Sequence, residues 1–228
     1  VRNVPLTPDF QLQPEKILEA ADAHSKILFI CSPNNPSGNA VKREDILFLL
    51  ENFPGIVVVD EAYIDFSETA SLLTVLNQHP NLLVMQTLSK AWGLASLRLG
   101  MAFANPELIR VLNQIKPPYN ISGLTQETVL SALQNKGKVD EFIQLILEER
   151  EFLRKELEKL PYILQVHHSD ANFLLVQFEH PNQVYEDLVG EKIIVRNRSS
   201  VLHCAGCLRI TVGTRAESIA LLQALEKV

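Results

Sequence analysis

The sequence predicts an α/β protein: a domain built on a mostly parallel sheet, then a smaller α+β domain. Three observations carry this. Four short apolar runs, at 26–32, 55–63, 81–89 and 97–104, each border turn or polar residues. Amphipathic stretches alternate with them, as at 41–52 and 105–115. After Pro161 the spacing changes to shorter strands with two intervening helices. Continuous apolar strands alternating with helices belong to parallel sheets covered on both faces.

The elements follow in order. PEKILEAADA (14–23) has helical spacing, and KILFICS (26–32) is a buried strand ending in turn residues. VKREDILFLLEN (41–52) is an amphipathic helix. GIVVVDEAY (55–63) is a strand that ends at two carboxylates. NLLVMQTLS (81–89) and LRLGMAFA (97–104) are the third and fourth strands. Asn105-Pro106 is a helix start signal for 105–115. KPPYNIS (116–122) breaks the pattern with two prolines. Two helices follow, the second over 139–160, with Phe142, Ile143, Ile146, Leu153, Leu157 and Leu160 on one face. Strands at ILQV (163–166), NFLLVQF (172–178), KIIVR (192–196) and LRITV (208–212) then combine with helices near 182–189 and 215–226. The expected divisions are 1–138 for the larger domain, 139–160 for a connecting helix and 161–228 for the smaller domain.

The 228 residues are 46% hydrophobic and 21% charged, an ordinary globular composition that can bury a sizeable core. The net charge of -6 and the absence of a basic stripe argue against a nucleic-acid partner. No apolar run is long enough to span a membrane. Cys31, Cys204 and Cys207 are too few for a disulfide framework, so the expected setting is reducing and cytoplasmic. The opening VRNVPLTPDFQL has no Met and reads as the middle of a longer chain.

Ligands of open parallel sheets bind beyond the carboxyl ends of the strands. Three strands end here in polar clusters. CSPNNPSGN (31–39) combines a rigid turn with asparagine amides, among them Asn35; a turn alone would account for it. VVVDEAY (57–63) places Asp60 after an apolar run, where a carboxylate is costly without a positive partner. A magnesium role would require a GxxxxGK[ST] loop, which the chain lacks. A pyridinium nitrogen or simple capping of the next turn remains. TLSKAWGLASLRLG (87–100) sets Lys90 beside Thr87 and Ser89, with Arg98 eight residues on. Alone, such a lysine is surface filler; as a nucleophile it would form a Schiff base. Arg98 would offer a bidentate fork to a phosphate, and the two hydroxyls further donors.

Together the clusters match the parts of pyridoxal 5'-phosphate. Lys90 suits the aldehyde and Asp60 the ring nitrogen. Tyr63 and Asn35 suit the phenolic oxygen, and Arg98, Thr87 and Ser89 the phosphate. These stretches, with IVRNRSS (194–200) and GCLRITVGTRAES (206–218), resemble the fold-type-I pyridoxal-phosphate-dependent aminotransferases. Within them they resemble the histidinol-phosphate branch of the class-II subgroup. The resemblance runs from residue 31 to 218. It implies amino transfer between glutamate and imidazole-acetol phosphate in histidine biosynthesis, with histidinol phosphate and 2-oxoglutarate as the other small-molecule partners. Lys90 is then the catalytic lysine and proton shuttle. Arg209 would bind the α-carboxylate of the donor and Arg196 the distal phosphate, with Arg198 a weaker candidate and Asn35 also facing substrate. A cytoplasmic homodimer is implied, together with an upstream segment carrying a glycine-containing phosphate loop, an aromatic residue stacked on the ring and a tyrosine reaching the partner's site. None of these lies in this chain, which is therefore expected to be an incomplete fold-type-I domain and inactive alone.

A threonine-phosphate decarboxylase or an aromatic aminotransferase shares the fold and differs in its products. A ligand-sensing half of a transcription regulator would carry an upstream DNA-binding module. Cys204-x-x-Cys207 lacks the further ligands of a zinc site and leads into a strand rather than a helix. His167 and His168 have no partners at ligand spacing, so no metal is expected.

Overall fold

Four strands form the first sheet: β1 (Ile27–Cys31), β2 (Ile56–Asp60), β3 (Leu82–Thr87) and β4 (Gly100–Ala104), side by side in that order. The computed structural model describes residues 1–227. They divide into two units: Val1–Pro33 with Val41–Phe142, and Asn34–Ala40 with the chain from Ile143 onward. β1, β2 and β3 run parallel, and β4 returns antiparallel to β3. The mostly parallel prediction thus holds, with the antiparallel member added by the 88–99 turn.

The first core lies on one side of this sheet. Helices α1 (Pro14–Ala20) and α2 (Arg43–Asn52) place Ile17, Ile46 and Leu49 against Ile30, Val57, Val59, Leu82 and Val84. Helix α3 (Pro106–Ile115) starts where Asn105 Oδ1 accepts the N–H groups of Glu107 and Leu108. It stops before Pro117, as the residue preceding a proline avoids helical geometry. Helix α4 (Gly123–Leu133) follows, capped by Ser122.

Coverage on both faces is corrected at the sheet edge. Phe29, Val58 and Leu83 are register neighbours on one face. Val58 and Leu83 are buried, but Phe29 is 67% and Ile27 51% exposed. β1 is an edge strand, and the Phe29 and Ile27 side chains stay largely exposed on it. Gly55 is required where β2 starts, because a Cβ there would stand 2.3 Å from the Lys26 carbonyl oxygen. That oxygen already accepts the Ile56 N–H at 2.9 Å. Gly55→Ala should therefore cost ~3 kcal/mol, as forced overpacking does. Thermal unfolding should show it as a Tm lower by roughly 6–12 °C. An unchanged Tm would mean that the β1–β2 junction is not this close.

The second unit builds its sheet from β5 (Ile163–Val166), β6 (Phe173–Phe178), β7 (Arg196–Asn197) and β8 (Cys207–Thr211), in the order β5-β6-β8-β7 and all antiparallel. Helix α5 (Lys136–Leu157), α6 (Pro181–Gly190) and α7 (Arg215–Leu225) bring Leu153, Leu157, Leu188, Leu221 and Leu225 onto Leu174, Val176, Leu208 and Ile210. α7 opens with a reciprocal capping box between Thr214 and Glu217.

Two expectations change here. Phe142 is 58% exposed, whereas Glu149 is buried with Leu153 and Leu157. Arg215 explains this: its Nε donates to Glu149 Oε2 at 2.8 Å while its guanidinium lies on the Phe152 ring. The strand expected over 192–196 shrinks to Arg196–Asn197. Lys192 turns left-handed at φ 64° and the Ile193 N–H bonds to the Leu188 carbonyl. The segment is thus held at the end of α6 before it can reach β8.

Candidate active site

In the first unit, parallel register brings the carboxyl ends of β1, β2 and β3 together. Asp60 ends β2 opposite Cys31 of β1 and Met85 of β3. It is half-buried, and its Oδ1 accepts the Ala62 N–H at 3.0 Å. Its Oδ2 meets no donor among the described residues. Burial, then the nearby Asp60 charge, pushes the Cys31 thiol above its ordinary range. Two residues past Ala62 a 3-10 turn begins, and Tyr63 at its start is buried.

The turn after β3 carries the other candidates. Thr87 Oγ1 lies 2.9 Å from Ser89 Oγ and accepts the Ser89 N–H at 3.1 Å. The Leu94 N–H closes the turn on the Leu88 carbonyl, and Gly93 supplies a positive φ of 66° beside the Lys90 carbonyl it bonds. Lys90 is exposed, and its Nζ stands 5.1 Å from the centre of the Tyr63 ring. Arg98 adopts φ 53°, uncommon for a side chain with a Cβ, and its Nη1 donates to the Ala95 carbonyl at 3.0 Å. Neither Lys90 nor Arg98 pairs with a carboxylate among the described residues. The first unit therefore gathers Asp60, Tyr63, Thr87, Ser89 and Lys90 at strand ends, with Arg98 on the same returning turn.

The second unit gathers the remaining ones. The 34–40 loop holds itself through Gly38 N–H to the Asn34 carbonyl at 2.8 Å and Asn34 Nδ2 to Ser37 Oγ at 2.7 Å. It docks on the 168–173 turn. Asp170 donates its N–H to the Gly38 carbonyl at 2.7 Å, and its Oδ2 accepts the Ala40 N–H at 2.7 Å. This docking presents Asn35, whose Oδ1 accepts from Arg209 Nη1 at 2.8 Å. The Arg209 guanidinium also lies 4.9 Å over the Phe173 ring. Arg196 is the direct ladder partner of Arg209. Like charges opposite each other destabilise a sheet, so an anion is the natural third member of this pair. Arg198 sits beside the 204–207 turn: its N–H bonds the Cys207 carbonyl at 2.9 Å, and its Nε is buried with no partner among the described residues.

Phe173 under Arg209 escaped the reading of the sequence. Its signal is only the β6–β8 pairing, which no local spacing encodes. The cysteine pair is buried, and burial together with the Cys204 neighbour pushes Cys207 up to about 11. No group of three metal-ligating side chains occurs among the described residues, and no helix among them is long and apolar enough to cross a membrane.

The family model for aminotransferase class I and II matches residues 1–225. The histidinol-phosphate aminotransferase of Cytophaga hutchinsonii is 53% identical over 224 residues, covering 98% of this chain and 64% of that protein. That of Parabacteroides distasonis is 52% identical, covering 99% and 65%. The chain thus spans a little less than two thirds of the length of these relatives. Among solved structures, the histidinol-phosphate aminotransferase from Clostridium acetobutylicum shares the fold with a TM-score of 0.89 at 22% identity, over 97% of this chain and 69% of that one. That from Sinorhizobium meliloti in complex with pyridoxal-5'-phosphate gives 0.86 at 22%, over 99% and 63%. The chain belongs to the class I and II aminotransferase family.

Proposed function

We propose that this chain carries the lysine, the cofactor anchors and the substrate arginines of a histidinol-phosphate aminotransferase dependent on pyridoxal 5'-phosphate. One observation carries the reading. A lysine without an acidic partner, a carboxylate with one open oxygen, a hydroxyl pair and an unpaired arginine occupy neighbouring strand ends of one unit. The relatives at 53% and 52% identity support the choice of substrate.

The donor set fits the cofactor by its chemistry. Asp60 Oδ2 is open to a protonated ring nitrogen. Thr87, Ser89 and Arg98 suit a phosphate dianion, and the Tyr63 ring lies beside Lys90. When bound, the cofactor supplies an electron sink for a carbanion. Lys90 Nζ would carry the proton that the α-carbon of the amino donor gives up. The Asp60 carboxylate would hold a proton on the ring nitrogen by its charge. Arg209, already oriented by Asn35 and Phe173, offers its fork to the α-carboxylate. Arg196 meets the distal phosphate. Assembly as a homodimer completes the proposal, supported by the exposed apolar side chains Ile115, Tyr119, Leu124 and Leu130.

Product analysis tests it. With the full-length protein, L-histidinol phosphate and 2-oxoglutarate, glutamate should accumulate at the rate at which histidinol phosphate disappears. Release of carbon dioxide from threonine phosphate, or amino transfer from phenylalanine alone, would overturn the substrate assignment.

A further inference from the structure

Glu61 follows Asp60 and is only 2% exposed. It has no cationic partner among the described residues; three neutral donors satisfy it instead. Oε1 accepts the Leu72 N–H at 2.8 Å. Oε2 accepts the Ser71 hydroxyl at 2.6 Å and Gln86 Nε2 at 3.0 Å. A carboxylate in such a place is costly, and removal of any donor leaves it short of partners.

Its position in the sheet gives the arrangement a purpose. The β2–β3 ladder ends at Asp60 opposite Met85. Past that rung two links join the strands: the Glu61 N–H to the Met85 carbonyl at 2.8 Å, and the Glu61 carboxylate to Gln86. Gln86 immediately precedes Thr87. One clamp therefore ties the residue after Asp60 to the residue before Thr87. Its third arm, through Ser71 and Leu72, fixes it to the 3-10 segment Leu72–Gln78.

We propose that Glu61 is a positioning residue that sets the span between Asp60 and the Thr87–Ser89 hydroxyls. The inference rests on the reading that these groups hold the ring and the phosphate of one cofactor. Two anchors at a fixed span bind a two-ended ligand as a chelate, and loosening the span forfeits that gain without weakening either anchor.

The test compares pyridoxal phosphate, pyridoxal and inorganic phosphate, each titrated by quenching of Trp92, the one tryptophan of the chain. Gln86→Glu opposes two carboxylates and breaks the clamp. It should weaken pyridoxal phosphate about tenfold while pyridoxal and phosphate change less than about twofold. The exchange Glu61→Gln with Gln86→Glu reverses donor and acceptor and should restore the ratio to that of the original protein. Should the single variant fail to fold, Gln86→Leu removes only the donor and carries the same expectation. A ratio of affinities unchanged by Gln86→Glu or Gln86→Leu, or a folded exchange variant that does not recover it, overturns the role of Glu61. Failure of the original protein to bind pyridoxal phosphate overturns the cofactor reading and this inference with it.

Discussion

In the full-length protein, Lys90→Ala is expected to abolish turnover, a loss of about 10⁴-fold or more, while the fold stays intact. The amine beside Tyr63 can both form a Schiff base with an aldehyde and, once released, carry a proton. No other lysine lies between Lys42 and Lys116, so the turn offers no substitute. The side chain is exposed and makes no ion pair, so stability should change by no more than about 0.5 kcal/mol. Steady-state assays beside a thermal melt separate the two effects. Near-normal turnover with an unchanged melt would remove Lys90 from the chemistry.

Asp60→Asn gives the second large effect. Asparagine keeps an oxygen for the Ala62 N–H, so the β2 terminus should survive. It removes the negative charge that would keep a ring nitrogen protonated. The α-proton transfer should slow by about 10²–10³-fold, the scale of losing a preorganised electrostatic partner. Cofactor affinity should fall far less, as Thr87, Ser89 and Arg98 are untouched. Single-turnover rates with an α-deuterated donor measure the step directly. An unchanged rate, or a loss confined to cofactor affinity, would contradict the assignment.

Much of this arrangement is legible in the residues. Apolar runs that stop at polar clusters place Asp60, Thr87 and Lys90 at strand ends, because the interior strands β2 and β3 bury their length and turn polar where they end. Asn105-Pro106 and Pro117 mark the ends of α3 by backbone chemistry alone. What the sequence hides depends on long-range register. Whether β4 runs antiparallel, whether Arg196 faces Arg209, and which ring lies under that arginine all follow from pairings that no local period encodes. The same holds for burial. Helical spacing assigned Phe142 to the inner face, yet Glu149 took the buried place because Arg215, 66 positions away in sequence, supplies its counter-charge. The KIIVR run has strand composition, but the end of α6 captures its first amide. Glu61 reads as one more acid in a turn until the sheet sets Gln86 beside it.

The central claim is that one lysine, Lys90, holds pyridoxal phosphate in a site that accepts amino groups from L-histidinol phosphate. A visible absorbance spectrum of the full-length protein, taken with the cofactor before and after histidinol phosphate is added, is the decisive measurement. The account predicts a yellow band that depends on Lys90 and collapses to the near-ultraviolet absorbance of the pyridoxamine form when the amine is supplied. A band that persists unchanged would contradict the substrate, and no band at all after soaking in pyridoxal phosphate would contradict the site.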